Sequence, residues 1–181
     1  MSGATVWQQP TLVVVTGLPG TGKSTLAEGI ATAAGAPAFS VDWLLGAIAP
    51  SGVLDGAPRP VVRGIYERLL RSLLSRQLML GQSAILDTIA ADETIQEWSS
   101  IAHQHGGRLI TIECVCSNEA VHRSRIEGRT RNIPGWHEID WSHVEFMKTE
   151  LEPLSVPHFT VDAIEPAGSN LTAVLGHIHS G

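Results

Sequence analysis

Apolar positions along the chain follow two alternating rhythms. Short runs read as strands fall at 11–16 (TLVVVT), 36–41 (APAFSV), 83–88 (SAILDT), 108–116 (RLITIECVC) and 158–163 (HFTVDA), the first continuous and rich in β-branched residues. A continuous run of this length fits a strand buried on both faces. Between these runs the spacing becomes helical. Val62, Ile65, Leu69, Leu70, Leu73, Leu74 and Leu78 make one stripe over 60–80, as an amphipathic helix requires. Further helices are predicted over 23–35, 92–105 with Asp92 as cap, from Ser117 or Asn118 to about Gly128, over 139–152 before Pro153, and over 169–179. Residues 49–60 and 128–138 read as loops.

Strands alternating with helices predict an α/β fold, a parallel sheet covered on both faces. The 181 residues suffice for a single domain over 1–181. Hydrophobic residues at 43% and charged residues at 17% mark a globular chain. The formal charge of −6 argues against a general nucleic-acid partner, whose affinity rests on neutralising phosphates. No apolar run approaches the ~20 residues of a membrane span, and the first ten residues carry no basic and apolar leader pattern. Cys114 and Cys116, two apart on one strand, are badly placed to bridge each other, and a reduced, cytoplasmic chain is expected.

Chemistry concentrates where the first strand meets the first helix. Gly17-Leu18-Pro19-Gly20-Thr21-Gly22-Lys23-Ser24-Thr25 fits the phosphate-loop pattern between a strand and a helix. Backbone N–H groups can cradle phosphate oxygens only where side chains do not obstruct them, and the helix N-terminus adds its positive end. Lys23 is expected to reach the β- and γ-phosphates of ATP or GTP, and the Ser24 hydroxyl to ligate Mg²⁺.

Ligands of an open parallel sheet gather at the carboxyl ends of its strands. Asp42 and Asp87 fall at two of those ends. Asp42 is a candidate base toward an attacking hydroxyl, and Asp87 a candidate metal-shell residue. Asp42 also suits the N-cap of a helix over 43–48, and Asp87 a turn. Of ten arginines, four crowd into 123–131. Arg125 and Arg129, four apart, are candidates to grip a transferring phosphoryl group. Arg123 and Arg131 read more simply as cations near a helix C-terminus. Gly128 and Gly135 would hinge a lid over about 123–138. The pairs His103/His105 and His177/His179 have no carboxylate at metal spacing and read as surface residues.

Together VVVTGLPGTGKSTLA, FSVDWL, AILDT, RIEGR and VDA resemble, in order and spacing, small P-loop kinases of the adenylate-kinase-like group. Within it the chain is similar to the ATP-binding proteins that include chloramphenicol phosphotransferase, zeta-toxin-like kinases and the kinase domain of polynucleotide kinase. The resemblance implies a three-layer fold with a five-stranded parallel sheet, an arginine-rich lid and Mg²⁺-dependent transfer to a hydroxyl. It implies Asp42 as base and Arg125 or Arg129 on the phosphates. It also implies an acceptor-binding segment over about 43–68, carrying Trp43, Arg59 and Arg63, with Trp136 at the lid. The glycine motif of shikimate kinases is absent after the third strand. So is the Asp-Gly-Phe/Tyr-Pro-Arg segment of nucleoside monophosphate kinases. The expected acceptor is a hydroxylated small molecule, an antibiotic among the candidates. Two other readings are a toxin-type or regulatory protein acting on a nucleotide-sugar or a partner protein, and a non-catalytic nucleotide-binding module.

Overall fold

The computed structural model describes residues 7–180. Five parallel strands, β1 (Thr11–Thr16), β2 (Ala38–Ser40), β3 (Ala84–Asp87), β4 (Arg108–Val115) and β5 (Phe159–Asp162), form one sheet in the order β2-β3-β1-β4-β5. All six residues of β1 are buried, because it runs between β3 and β4 and both its faces are covered. Its alternation divides the interior in two. Leu12 and Val14 face the core made with α3 (Arg59–Met79) and α4 (Asp92–Gln104), where Leu70, Leu74, Leu78, Ile95, Trp98 and Ile101 pack. Val13 and Val15 face the other core, made with α1 (Lys23–Ala34) and α7 (Ala167–Ser180), among Leu26, Ile30, Val174 and Ile178.

A third, smaller cluster stands apart from the sheet. Ile126, Trp141 and Val144, with Ile139 against them, bind α5 (Glu119–Glu127) to α6 (Trp141–Glu150). From β1 the chain crosses to β2 and returns through β3 on one side, then continues through β4 and β5 on the other. The strand order therefore reverses beside the carboxyl end of β1, the place where such sheets bind ligands.

The sheet and layers follow the predicted pattern; several local expectations do not. The helix after β2, α2 (Val41–Ile48), is preceded by Ser40 at the N-cap position, so Asp42 lies inside its first turn and is no cap. Asp92 does not cap α4 either. Ala91 holds that position, and the Asp92 carboxylate instead accepts from the Ser155 N–H, the Ser155 hydroxyl and the Val156 N–H, pinning the connector between α6 and β5. The segment 49–60 holds a 3₁₀ turn at Ala49–Ser51 and the start of α3. Leu69, placed in the core stripe by its spacing, is 37% exposed. α5 ends at Glu127 with Gly128 as cap, so Arg129 is not on the helical face of Arg125. Cys114 and Cys116 are both free. Among the described residues no helix is long and apolar enough to cross a membrane.

Candidate phosphate and phosphoryl-transfer site

The loop between β1 and α1 curls back on its own second residue. Lys23 Nζ and Thr21 Oγ1 both donate to the Leu18 carbonyl, each at 2.8 Å. Gly17 is required where it stands. Its φ is +130°, and a Cβ there would run into the Cys114 carbonyl of the neighbouring strand. Gly22 opens α1 in the left-handed region. Lys23 is buried. Burial pushes its ammonium pKa below the ordinary lysine value, with Asp87 the strongest opposite charge acting against that shift. Asp87, at the end of β3, is 7% exposed. Burial raises its carboxyl above the usual range, while Lys23 and a hydrogen bond with Ser24 pull it back. Two opposed charges thus share a dry pocket at the root of the loop.

Asp42 and Ser24 are joined to this pair by a residue that spacing alone ranked low. The Arg131 guanidinium pairs with Asp42 Oδ2 and donates to Ser24 Oγ at 3.3 Å. The loop carrying Arg131 is seated on α2. A Cβ at Gly46 would lie 2.5 Å from the Pro134 carbonyl, and one at Gly135 would collide with the Gly46 carbonyl. Glu138 steadies the segment by accepting from the Arg131 N–H at 2.7 Å. Arg129 is half-buried. Burial lowers its pKa and Arg131 adds to this, while Glu138, Asp42 and Asp87 oppose it.

Arg125 points elsewhere and donates to the Ala163 carbonyl beyond β5 at 2.7 Å. Arg123 pairs with Glu127 on the helix surface. Of the arginines after β4, Arg131 and not Arg125 is the one in contact with Asp42 and Ser24.

The presumed acceptor residues are dispersed. Trp43 is 52% exposed on α2. Arg59, in the first turn of α3, lies over the Phe146 ring of α6 at 5.6 Å, and Arg63 stands beside Tyr66. Trp136 is half-buried, its ring tilted against His137 at 4.9 Å. A cavity of about 240 Å³ opens beside Gly17 and Leu18, walled by Ile89, Ala90, Glu113, Lys148 and Leu154. His122, absent from the sequence-derived set, is buried against the loop, its Nε2 lying 2.7 Å from the Pro19 carbonyl.

The oxygen donors suit a hard cation. Arg131 contacts both Ser24 and Asp42, and Asp87 lies beside Ser24, so one hydroxyl and two carboxylates are neighbours. Among the described residues no three His, Cys, Asp or Glu side chains form a protein-only metal cage. A Mg²⁺ shared with nucleotide phosphates and water requires none.

Comparison with known proteins agrees with the fold. A family model described as an AAA domain matches residues 12–154. A protein of Chloroflexus aurantiacus J-10-fl superposes with a TM-score of 0.71 at 24% identity, over 94% of this chain and 99% of that one. A gluconokinase from Sinorhizobium meliloti 1021 gives 0.68 at 21% identity, over 95% and 93%. An uncharacterized protein of Mycobacterium tuberculosis H37Rv is 39% identical over 84 residues, 42% of this chain and 17% of that relative. The match thus spans less than a fifth of its length.

Proposed function

The chain belongs to the AAA domain family, and from that premise we propose that it is a phosphotransferase moving the γ-phosphoryl group of ATP or GTP to a hydroxyl of a small molecule. The carrying observation is the convergence of Lys23, Ser24, Asp87, Asp42 and Arg131 at the reversal point of the sheet.

In this reading the backbone N–H groups of residues 20–25, which run from the loop into the start of α1, hold the phosphates, with Lys23 on the β- and γ-oxygens. Ser24 and Asp87 would hold Mg²⁺, which, when bound, neutralises charge on the phosphates. Asp42 takes the proton of the acceptor hydroxyl. Arg131 and Arg129 place positive charge over the transferring group, where a preorganised donor acts most strongly. Arg125 secures α5 to the segment after β5. The sheet suits such a reaction, because the phosphates would meet the end of its most buried strand and the acting groups come from α1, α2, β3 and the loop after α5.

The acceptor reading rests on size and lining. The cavity beside Leu18 is smaller than sites for drug-sized ligands, which start near ~300 Å³. Its wall combines apolar residues with Glu113 and Lys148, which suits a compact hydroxylated acceptor better than a large antibiotic. Trp43, Arg59, Arg63 and Trp136 are not part of its wall, and they are proposed as acceptor contacts only by their place in the sequence. The relative named a gluconokinase makes sugars and sugar acids the first acceptors to test.

The experiment is nucleotide-dependent product formation over a panel of sugars, sugar acids and hydroxylated antibiotics, run beside the Asp42→Asn variant. Loss of the base should lower turnover by about 10²–10⁴ while nucleotide affinity stays near that of the native chain. Full transfer by Asp42→Asn removes Asp42 as base. Nucleotide binding without turnover on any acceptor would favour a non-catalytic binding module.

A further inference from the structure

We infer that His122 is a positioning residue for the phosphate loop: its ring N–H fixes the orientation of the Pro19–Gly20 peptide and so the set of backbone N–H groups offered to phosphate. The inference rests on the nucleotide-binding reading above and adds to it a residue outside the loop.

A backbone nest binds an anion by turning successive N–H groups inward, which turns some carbonyls outward. Pro19 is buried, so its carbonyl needs a donor from the protein. His122 Nε2, at 2.7 Å, is that donor. A carbonyl can only accept, so the proton resides on Nε2. The ring has little freedom to leave. His122 is 3% exposed, and Trp141 closes behind it edge-on, with centroids 5.1 Å apart and planes at 89°. The next residue of the loop is held by the same helix. Gly20 has φ +85°, and a Cβ there would come within 2.7 Å of Ile126 Cδ1 and 3.2 Å of His122 Cδ2. α5 therefore lies against the loop at two consecutive residues, with a hydrogen bond at one and close packing at the other. Burial holds the imidazole pKa below its ordinary value, Lys148, Lys23 and Arg125 add to the shift, and the hydrogen bond to Pro19 opposes it.

The test separates the hydrogen bond from the space the ring fills. His122→Gln keeps an N–H donor near the Nε2 position. His122→Phe keeps an aromatic ring against Trp141 and Ile126 but donates nothing. His122→Asn, too short to reach, serves as a second donor-deficient variant if the Phe chain does not fold. ADP, ATP and GTP affinities are measured by calorimetry, and amide exchange over residues 17–24 is followed in nucleotide-free protein. His122→Gln should stay within about threefold of the native affinity. Loss of the donor should weaken binding about tenfold and speed exchange in the loop. A residue that only fills space gives the opposite order, with Phe tolerated and Gln harmful. Native affinity and exchange in His122→Phe, or equal losses in the Gln and Phe chains, would overturn the inference. Should the native chain bind none of the three nucleotides, the nucleotide reading itself fails. The exchange comparison then decides the role of His122: unchanged exchange overturns it and faster exchange in the donor-deficient chains upholds it.

Discussion

Arg131→Ala removes a side chain that touches both Asp42 and Ser24, and its two effects can be scaled separately. For stability, a hydrogen bond to a charged group contributes ~1.5–3 kcal/mol. Here the Asp42 side chain is 30% exposed and the Ser24 contact is long at 3.3 Å. Screening and geometry reduce the combined contribution to about 1–2 kcal/mol. In a chain of this size, each kcal/mol moves Tm by ~2–4 °C, so a loss of about 2–8 °C is expected. For catalysis, removing one preorganised donor at the developing charge lowers kcat by ~10²–10³. The protein thus stays folded under assay conditions while turnover falls far more than stability does. The assay is steady-state phosphoryl transfer to an active acceptor, or nucleotide hydrolysis where no acceptor is in hand, with Tm measured on the same preparations. Arg125→Ala is the control. It loses the bond to the Ala163 carbonyl, so its Tm should fall while its kcat stays within a few-fold of native. A larger kcat loss for Arg125→Ala than for Arg131→Ala would refute the reasoning and return the phosphate contact to Arg125. A rise in nucleotide KM with kcat unchanged in Arg131→Ala would make Arg131 a ground-state binder.

Lys23→Ala should weaken nucleotide binding by about tenfold or more, since it deletes a charge-assisted phosphate contact of ~1.5–3 kcal/mol; unchanged calorimetric affinity would remove Lys23 from the site. The Cys114 thiol is pushed up to about 12, chiefly by burial, so one thiol, Cys116, should react with a disulfide reagent in native protein at neutral pH and two after unfolding; fast modification of both in the folded chain would contradict the buried setting of Cys114. Asp92 is held below the usual carboxylate range, first by the Ser155 hydroxyl and then by the Ser155 and Val156 N–H groups. Its stabilisation should therefore be complete above about pH 4 and be lost as pH falls through the lowered value. Asp92→Asn should flatten that part of the Tm–pH curve; a curve as steep as the native one would place the acid sensitivity elsewhere.

The sheet was readable from the sequence because its strands are short, mostly apolar runs rich in β-branched residues, the pattern of a parallel sheet covered on both faces. The phosphate loop was readable because its chemistry is local, with every feature lying within nine consecutive residues. What escaped were contacts made across the chain. Arg131 and Asp42 are 89 residues apart and His122 and Pro19 are 103, and nothing in either neighbourhood signals its partner. Gly46 is likewise explained only by the fold, because it is the bare spot on α2 against which residues 133–136 rest. Asp92 misled for a related reason. Its residue type and position suit a cap, but a distant connector offered its carboxylate three donors.

The separate interior of α5 and α6 has a mechanical consequence. Because Ile126, Trp141 and Val144 pack on one another, the pair carries its own stiffness and does not borrow it from the sheet. It meets the rest of the molecule through His122 on the Pro19 carbonyl, Ile126 against Gly20, Arg125 on the Ala163 carbonyl and Arg59 over the Phe146 ring, and the loop that joins the two helices adds Arg131 on Asp42. Most of these contacts are polar, and none is made by a residue of the two large cores. Each of these contacts can be cut singly by substitution, while the central strand stays buried between the two large cores. The α5–α6 pair is thus a small separate solid bolted beside a large one, and the strength of the joint can be counted contact by contact.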